Sequence, residues 1–478
     1  MRPVIREIPF PPDIWTTFKA LARRPAAFFL DSVLVDARLG RWSFMGAAPF
    51  AVLTSKGAKL RLQGLDLGHP WHSPFAAIKD IAARFPLERA SEDPPFLGGA
   101  VGYWGYELRH FVERVPCDVV DDAPTPDCWI GFYDTIIAFD HFRRRAWAIA
   151  TPSPEARPHP SERLDRLLAL MAETEDETPL PLPRGPRPAL AAHPLAGAPH
   201  ICSNFAYDDY LTAVRRAKEY IAAGDTFQIN LSHRLTAPVD EPPLDLYRRL
   251  RSINPAPFAA YLDCGDFALL SASPERFIRV RGRDVETRPI KGTRPRGATP
   301  AEDAALARAL LASEKDRAEN VMIVDLERND LGRTCAYGTV RVPELCALER
   351  YETVFHLVST VVGRLHEGYS ALDCLKACFP GGSITGAPKV RSMEIIDELE
   401  PTCRGVYTGA IGYLCFSGDM DTNIVIRTIV VKDGWAHFQV GGGIVADSDP
   451  EAEYQETLDK ARALINAVAH PAGARRIE

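Results

Sequence analysis

The stretch that decides the fold is Tyr413-Leu-Cys-Phe-Ser-Gly-Asp-Met-Asp-Thr-Asn-Ile-Val-Ile-Arg-Thr-Ile-Val-Val-Lys-Asp-Gly-Trp-Ala-His-Phe-Gln-Val440. Three runs rich in β-branched and aromatic residues are separated by two short turns at residues 417–419 and 432–434. Turns this short join antiparallel strands, because parallel strands need a crossover of about a dozen residues. The sequence therefore predicts an α+β protein with large antiparallel sheets.

The middle run, residues 423–431, is typical of one continuous strand. Alternation along it places Arg427 on the same face as Val425 and Ile429. If that face is buried, the guanidinium needs an anionic partner. Two partners fit the pattern, a structural salt bridge or a ligand that carries a carboxylate.

Composition excludes several classes of function. The chain has 478 residues, of which 46% are hydrophobic and 25% charged, so it can bury a substantial core. A net charge of −7 without a basic stripe argues against binding to nucleic acid. No apolar run reaches the ~20 residues of a membrane span, and the first residues lack the apolar centre of a signal peptide. We therefore expect a cytoplasmic protein that binds no membrane, with reduced cysteines.

A second informative stretch is Pro289-Ile-Lys-Gly-Thr-Arg-Pro-Arg-Gly297, which sets Lys291 among turn-forming residues and two arginines. An amine attacks carbon only after losing its proton, and burial and nearby cations lower a lysine pKa from its free value of ~10.4. Arg294 and Arg296 are the expected cations. We interpret Lys291 as a candidate nucleophile, with a solvated loop lysine as the alternative.

Two predicted helices each carry a pair of carboxylates three residues apart. The first is capped by Ser313 and contains Asp316 and Glu319, and the second, near the C-terminus, contains Glu453 and Glu456. Residues three apart share a helical face. The two pairs could hold one hard divalent cation, and oxygen ligands favour magnesium over zinc. Solvated helix surface is the alternative.

Two glycine-rich segments suggest close backbone approaches. Gly441, Gly442 and Gly443 follow the last β-run, where consecutive N–H groups can converge on an anion, although a bulge or turn is the ordinary explanation. The segment Pro380-Gly-Gly-Ser-Ile-Thr-Gly-Ala-Pro-Lys-Val390 lacks the Gly-Lys-Ser/Thr ending of a phosphate loop, which argues against nucleotide binding.

Six blocks of the second half carry a family resemblance when they are taken in order. They are Ser271-Ala-Ser-Pro-Glu-Arg-Phe277, Pro289-Ile-Lys-Gly-Thr293, Glu319-Asn-Val-Met-Ile-Val-Asp-Leu326 with Arg328-Asn-Asp330, Gly382-Ser-Ile-Thr-Gly-Ala-Pro-Lys-Val-Arg391, Arg404-Gly-Val-Tyr-Thr-Gly-Ala-Ile-Gly412, and the run from Gly441 to Glu456. Together they resemble the chorismate-utilising enzymes, and most closely the aminodeoxychorismate synthase branch of that family. The region before residue 170 resembles the family less strongly.

The resemblance implies a fold and a division of the chain. The expected fold is α+β, with two large antiparallel sheets packed as a sandwich, helices outside and the substrate in a cleft. Residues 1–170 would form an N-terminal region similar to that of anthranilate synthase component I. Residues 171–200 would be a Pro/Ala-rich linker, and residues 201–470 the chorismate-binding catalytic domain.

The resemblance also implies a set of site residues. Mg²⁺ would be bound by Glu319 and Glu456, with Asp316 and Glu453 nearby. The positions that match those contacting chorismate are Gly292, Thr293, Tyr407, Arg427, Gly441, Gly442 and Gly443. Arg427 would thereby find its anionic partner in the substrate. His356 matches a histidine near the site, with a packed core histidine as the alternative.

Three positions bear on the reaction. Glu275 matches the general acid that protonates the departing C4 hydroxyl, a role that requires a pKa raised towards neutrality. Lys291 matches the nucleophile of the aminodeoxychorismate branch, whereas anthranilate synthases have alanine there. Gln228 replaces the lysine base of the water-adding members, and an amide cannot deprotonate water. The resemblance thus implies Mg²⁺-dependent amination of chorismate at C4, giving 4-amino-4-deoxychorismate for 4-aminobenzoate and folate synthesis.

The resemblance implies a partner subunit and leaves two alternative functions open. Ammonia would come from a separate glutamine amidotransferase subunit, because the chain lacks a nucleophilic-cysteine elbow. Anthranilate synthase component I, which aromatises the ring and releases pyruvate, is the nearest alternative. A non-catalytic chorismate- or tryptophan-binding regulator would need neither an acid nor a nucleophile. Bound or regulatory tryptophan is also implied by residues near the family's tryptophan pocket, which are Ser32, Arg41, Trp42, Ser43, Pro257 and Phe258.

Overall fold

The computed structural model describes residues 2–35, 38–68, 70–116, 118–154, 157–172, 180–351 and 354–469. Residues 173–179 of the predicted linker and residue 470 of the predicted catalytic domain lie outside the described residues. Within the described ranges, no helix combines the length and apolarity that crossing a membrane requires. All the cysteines described there are free thiols.

The described part of the chain contains helices and strands throughout. The α-helices are α1 Ile14–Leu21, α2 Pro74–Ala83, α3 Pro160–Ala172, α4 Tyr207–Ala222, α5 Pro243–Ile253, α6 Pro300–Ala312, α7 Glu314–Gly332, α8 Ala371–Cys378, α9 Lys389–Leu399 and α10 Pro450–Ala469. The strands are β1 Val4–Ile8, β2 Phe28–Asp31, β3 Trp42–Gly46, β4 Ala51–Lys56, β5 Lys59–Gln63, β6 Gly99–Trp104, β7 Cys128–Tyr133, β8 Thr135–Asp140, β9 Arg145–Ala150, β10 His193–Leu195, β11 Ala198–Ser203, β12 Gln228–Pro238, β13 Phe258–Asp263, β14 Phe267–Ser273, β15 Arg276–Arg281, β16 Asp284–Thr287, β17 Ile290–Pro295, β18 Arg341–Arg350, β19 Val354–Arg364, β20 Gly386–Ala387, β21 Ala410–Cys415, β22 Met420–Ile424, β23 Thr428–Lys432 and β24 Trp435–Ile444.

These strands form two antiparallel sheets. The larger sheet has the order β1-β9-β8-β3-β2-β13-β14-β23-β24-β12-β11-β10, with β20 added beside β12. The smaller sheet has the order β17-β19-β16-β15-β22-β21-β6-β7-β4-β5, with β18 added beside β19. The predicted α+β class with two large antiparallel sheets is confirmed.

The two sheets share one apolar core. Phe44 of the larger sheet meets Tyr413 of the smaller sheet with ring centroids 5.5 Å apart, and Phe267 meets Tyr103 at 6.1 Å. Edge-to-face rings at this distance are typical of a packed interior. Each sheet contains strands from both sides of the predicted linker. The N-terminal and C-terminal halves therefore contribute to the same sandwich, and the predicted domain boundaries stay a prediction.

Helices cover the outer faces and bring the predicted carboxylates into place. Helix α10 packs on β24 through an apolar stripe that includes Ala461 and Leu464. Helix α7 packs on β19, where the Asn320 side chain donates to the backbone oxygen of Leu357 (3.2 Å). Ser313 caps α7 by accepting a hydrogen bond from the backbone N–H of Asp316, as predicted.

The predicted single strand over residues 423–431 is wrong. The chain forms β22 in the smaller sheet and β23 in the larger sheet, with residues 425–427 crossing between them. Arg427 therefore lies in the crossover with a φ of +52°, and strand alternation with Val425 and Ile429 does not apply to it. The apolar pattern misleads because both strands are buried, and Arg427, the charged residue of the run, lies at the change of sheets rather than on the face of one strand.

Candidate active site

Two crossovers between the sheets lie side by side and carry Glu275 and Arg427. The chain leaves β14 in the larger sheet and, after Pro274 and Glu275, enters β15 in the smaller sheet. The Ile424 N–H donates to the backbone oxygen of Glu275 (3.0 Å), and the Ala272 N–H donates to that of Arg427 (3.0 Å). The two crossovers are thus hydrogen-bonded to each other, and both predicted site residues lie where the chain passes between the sheets.

Lys291 lies on a strand rather than in a turn. It belongs to β17, whose pairing with β19 shifts register between Ile290 and Thr293. Gly292, at this irregularity, has a φ of +85°, a conformation that L side chains rarely adopt. A bulge of this kind changes the direction of a side chain. The glycine after Lys291 therefore helps to set where the amine points.

Ser383 joins the predicted nucleophile to the predicted acid. The Lys291 ammonium nitrogen donates to the backbone oxygen of Ser383 (3.2 Å). The Ser383 hydroxyl donates to Oε1 of Glu275 (2.9 Å), which is buried. The two groups are thus positioned by one residue of the segment between α8 and α9.

Burial shifts both groups in the direction that the predicted chemistry requires. It raises the pKa of Glu275 to about 7, although the Ser383 hydroxyl and Lys291 both favour the charged carboxylate. It also lowers the pKa of Lys291, and the Lys460 ammonium acts in the same direction, whereas the carboxylates of Glu319, Glu275 and Glu456 favour the charged amine without reversing the shift. The acid can therefore stay protonated near neutrality, while the amine loses its proton more easily than a free lysine.

The prediction that Arg294 and Arg296 depress the pKa of Lys291 is wrong. Arg294 is paired with Asp316 (2.9 Å), and Arg296 with Asp303 (2.7 Å). Their charges are compensated locally, so burial and Lys460 depress the pKa instead. Proximity along the chain misleads here because α6 and α7 supply carboxylates to both arginines.

The predicted carboxylate pairs of α7 and α10 lie within electrostatic reach of one another. Burial raises the pKa of Glu319, and the charges of Asp316 and Glu456 act in the same direction. Burial also raises the pKa of Glu453, again with a contribution from Glu456. Burial alone would raise the pKa of Glu456, but the Lys460 ammonium brings it below its ordinary value. Asp316, paired with Arg294, lies at the edge of this group.

Gly442, the middle one of the three glycines, lies directly against these carboxylates. Gly441 to Gly443 continue β24 and pair with β12, whereas β23 pairs with β24 only over Val430–Lys432. A Cβ on Gly442 would lie 3.1 Å from Glu453 Oε2 and 3.7 Å from Glu456 Oε1. A side chain here would thus intrude on the carboxylates, which explains why the strand needs glycine.

Lys460 links the glycine strand to Arg427. Its ammonium pairs with Glu456 Oε1 (2.6 Å) and donates to the backbone oxygen of Gly441 (2.9 Å). The Arg427 guanidinium donates to the backbone oxygen of Lys460. Among the described residues Arg427 makes no ion pair, and burial lowers its pKa. Its charge is thus available to an anionic ligand.

Thr293, His356 and Tyr407 complete the predicted set. The Thr293 hydroxyl and the His356 Nδ1 are 2.9 Å apart, and burial lowers the His356 pKa to about 4, with a contribution from Arg427. Burial raises the Tyr407 pKa to about 12, although Arg404 favours its charged form. The positive charge of Arg427 also favours the charged form of Tyr407, but burial outweighs it. All three side chains are thus neutral near neutral pH.

The donor chemistry fits magnesium. Glu456 raises the pKa of both Glu319 and Glu453, and a divalent cation would relieve this repulsion. Within the described part of the chain, no three His, Cys, Asp or Glu side chains are grouped closely enough to bind a metal unaided. Mg²⁺ commonly takes one or two protein carboxylates and fills its remaining positions with water and substrate oxygens.

This arrangement has counterparts among known proteins. The family described as "chorismate binding enzyme" matches residues 31–466. The chain belongs to the chorismate binding enzymes. It is therefore a chorismate-utilising enzyme, as the ordered sequence blocks indicate.

Relatives within the chorismate binding enzymes carry two different names. The chain is 44% identical over 454 residues to anthranilate synthase component 1 of Thermus thermophilus, covering 95% of this chain and 94% of that protein. It is 41% identical over 469 residues to aminodeoxychorismate synthase component 1 of Bacillus subtilis, covering 98% and 97%. The crystal structure of anthranilate synthase component I from Streptococcus pneumoniae matches with a TM-score of 0.77 at 34% identity, covering 90% and 93%. Overall sequence identity therefore does not decide between the names anthranilate synthase and aminodeoxychorismate synthase.

A separate cavity of about 170 Å³ lies between the sheets of this chorismate binding enzyme. Five of the six residues predicted for a tryptophan pocket line it, namely Ser32, Arg41, Trp42, Pro257 and Phe258. The sixth, Ser43, supports its wall by accepting a hydrogen bond from the Ser32 backbone N–H (2.9 Å). The structure thus brings the predicted set together, while its ligand stays a prediction.

Sequence reasoning missed the roles of Ser383 and Lys460. Ser383 lies within a quoted block, but its contacts with Lys291 and Glu275 join segments about 90 to 110 residues apart along the chain. Lys460 could have been found, because it follows Glu456 by four residues on a predicted helix, the spacing of a helical ion pair.

Proposed function

We propose that this chain is the large component of aminodeoxychorismate synthase and replaces the C4 hydroxyl of chorismate with an amino group, giving 4-amino-4-deoxychorismate for 4-aminobenzoate and folate synthesis. The observation that carries the proposal is the contact of both Lys291 and Glu275 with Ser383. A depressed lysine pKa and an elevated glutamate pKa are the shifts that a nucleophile and a general acid need.

In the proposed reaction the neutral amine of Lys291 attacks ring C2 of chorismate. Both conjugated double bonds of the ring shift, from C1=C2 and C5=C6 to C1=C6 and C4=C5, the C4–O bond breaks, and Glu275 gives its proton to the departing hydroxyl, which leaves as water. Ammonia then forms a bond to C4, the two double bonds shift back and the bond between C2 and Lys291 breaks, which frees the neutral amine. The proton lost by the incoming nitrogen returns to Glu275. The enolpyruvyl ether takes no part and stays on the product.

Glu319 and Glu456 would bind Mg²⁺, with Asp316 and Glu453 nearby. The bound ion would neutralise the ring carboxylate of chorismate and orient it. Around it, Arg427 supplies a positive charge for a substrate carboxylate, and Gly292 and Thr293 adjoin the nucleophile. Tyr407 and the backbone of residues 441–443 would complete the contacts with chorismate.

A separate glutamine amidotransferase subunit would supply the ammonia. The names of the relatives from Bacillus subtilis and Thermus thermophilus both contain "component 1", which supports an enzyme of more than one component. Gln228 also fits ammonia better than water as the incoming nucleophile, because its amide cannot take a proton from water. Its side chain is buried against Gly443.

Anthranilate synthesis is the second candidate activity. It is favoured by the 44% identity to the Thermus thermophilus anthranilate synthase component. That reaction would also use the acid and the metal but would need no lysine nucleophile, and it would release pyruvate. The presence of Lys291 at the bulge of β17 favours the first candidate.

We also propose that the cavity lined by Ser32 and Trp42 binds tryptophan. The aromatic rings that line the cavity suit an indole. The guanidinium of Arg276, which also lines the cavity, lies 4.9 Å from the centre of the Phe258 ring. Arg276 is the residue directly after the predicted acid Glu275 in the chain. Isothermal titration calorimetry with tryptophan tests this proposal. Binding that is lost in Trp42→Ala supports it, and no heat in the unaltered protein contradicts it.

The main experiment incubates the purified protein with chorismate, Mg²⁺ and ammonium chloride and reads product masses. We expect an aminated product that retains the enolpyruvyl group. Anthranilate and pyruvate would instead establish the second candidate. Lys291→Ala should lower amination strongly, and Lys79→Ala, which removes a half-exposed lysine paired with Asp373, is the matched control. Full amination by Lys291→Ala would reject the covalent route.

A further inference from the structure

Lys460 is a cation among the carboxylates proposed for the metal site, and the proposed reaction gives it no role. Its ammonium nitrogen lies 2.6 Å from Glu456 Oε1 and donates to the backbone oxygen of Gly441 (2.9 Å). A Cβ on Gly442 would lie 3.8 Å from this nitrogen, 3.7 Å from Glu456 Oε1 and 3.1 Å from Glu453 Oε2. The ammonium therefore shares the surface of Gly442 with two of the carboxylates.

The position of Lys460 on α10 keeps its ammonium close to Glu456. The two residues are four apart on the helix, so their side chains lie on the same face one turn from each other. Ala461 and Leu464 pack the same part of the helix into the apolar core beside β24. The Arg427 guanidinium also donates to the backbone oxygen of Lys460. The ammonium thus stays within reach of Glu456 as long as α10 keeps its place.

An ammonium and a divalent cation compensate the same carboxylate charge. Mg²⁺ binds carboxylate oxygens directly, and one oxygen of Glu456 already accepts from Lys460. Two cations a few ångströms apart also repel each other. Binding of Mg²⁺ to Glu456 must therefore break or weaken the contact with Lys460. Lys315, by contrast, approaches Glu453 only to 3.8 Å and has a half-exposed side chain.

We propose that Lys460 is a built-in counter-ion of the metal site, which competes with Mg²⁺ for Glu456 and so keeps the affinity of the free protein for the metal low. The ring carboxylate of chorismate adds negative charge to the same region. Mg²⁺ would therefore bind more favourably together with the substrate than alone. This inference rests on the proposed metal ligands Glu319 and Glu456, and it goes beyond them by naming the residue that sets the metal affinity.

The first test titrates the full-length protein with MgCl₂ in the absence of chorismate, by isothermal titration calorimetry. Lys460→Met keeps the length of the side chain and removes its charge, so the affinity for Mg²⁺ should increase by at least about fivefold, the equivalent of one ion pair worth about 1 kcal/mol. Lys460→Arg retains a cation and should bind Mg²⁺ no more tightly than the unaltered protein.

Arg462→Met is the matched control for the loss of one positive charge from α10. Arg462 lies two residues further along the helix, is exposed and pairs with Asp459. This variant should bind Mg²⁺ as the unaltered protein does. Equal increases in Lys460→Met and Arg462→Met would reduce the effect to overall charge and overturn the proposal. An unchanged or weaker affinity in Lys460→Met would overturn it as well.

The second test asks whether Mg²⁺ displaces the ammonium. The unaltered protein is treated briefly with acetic anhydride, with and without saturating MgCl₂, and the acetylated fraction of each lysine is read by peptide mass spectrometry. An amine held by a carboxylate reacts slowly, so the acetylated fraction of Lys460 should rise when Mg²⁺ binds. Lys79, which pairs with Asp373, is the internal reference and should not change. A fraction that stays constant or falls while Mg²⁺ binds would contradict displacement.

Neither test requires turnover, so both are independent of the product that the protein makes. If the product is anthranilate, the proposed amination fails, yet the metal affinities still decide the role of Lys460. If neither the unaltered protein nor Lys460→Met binds Mg²⁺, the counter-ion proposal and the metal assignment fail together. The product masses then still decide the proposed activity.

Discussion

Glu275 and Lys291 are hydrogen-bonded to the same residue, Ser383, through its hydroxyl and its backbone oxygen respectively. Three segments far apart in sequence thus meet at one point, namely the crossover after β14, the bulge of β17 and the short segment before α9. One short segment therefore contacts both the predicted acid and the predicted amine. Predictions about the chemistry can therefore be made from single substitutions.

The pH dependence of catalysis should reflect both groups. The pKa of Glu275 is about 7, so the acid form is present below this value and is lost as pH rises through it. Lys291 must instead have lost its proton, and burial favours this by lowering its pKa. We expect a bell-shaped profile of kcat/KM in which one limb lies near pH 7, at the pKa of Glu275, measured at a fixed concentration of free ammonia. Glu275→Gln should remove that limb and lower the rate by about 10²- to 10⁴-fold.

Ser383→Ala should move the same limb upwards. The Ser383 hydroxyl favours the charged form of Glu275, so its removal raises the Glu275 pKa further. A net contribution of about 0.5–1.5 kcal/mol for one hydrogen bond corresponds to roughly 0.4–1 pH unit. The backbone contact with Lys291 is retained, which makes the change specific to the acid. A limb that moves down, or stays in place, would contradict the assigned contact.

Glu456→Gln should weaken the dependence on magnesium. The substitution removes a carboxylate charge that lies within reach of Glu319 and Glu453 and leaves Lys460 without its partner. We expect the Mg²⁺ concentration for half-maximal chorismate consumption to increase by at least about 10-fold. Asp459→Asn, at a half-exposed carboxylate of the same helix, serves as the control and should leave the titration unchanged. Equal titrations for both variants would dismiss Glu456 as a ligand.

Gly102→Ala should destabilise the sandwich without touching the site. A Cβ at Gly102 would lie 2.0 Å from the backbone oxygen of Trp129, so β6 and β7 would have to separate. A loss of about 1–3 kcal/mol or more is expected, measured by denaturant unfolding. Gly332→Ala is the control, because the space around Gly332 is open within 4 Å. If both variants unfold at the same denaturant concentration, the close approach of the strands is not as described.

Local features were predictable from the sequence, and contacts between distant segments were not. The hairpins around residues 417–419 and 432–434 and the Ser313 cap follow from turn and capping preferences of neighbouring residues. The crossover at Arg427 was missed because two buried strands in different sheets have the same apolar pattern as one. The charge environment of Lys291 was also missed, because Lys460, not the adjacent arginines, lies near it in space.

The sequence by itself determined that this chain is an antiparallel α+β protein and predicted which residues carry its chemistry, because turn residues, apolar alternation and ordered blocks depend on neighbours along the chain. Only the tertiary structure decided how those residues act together. Ser383 contacts both the predicted acid and the amine, and Lys460, not the adjacent arginines, is the cation that acts on Lys291. The physical reason is that pKa values and hydrogen bonds depend on distance and burial, and both arise only when remote segments pack together.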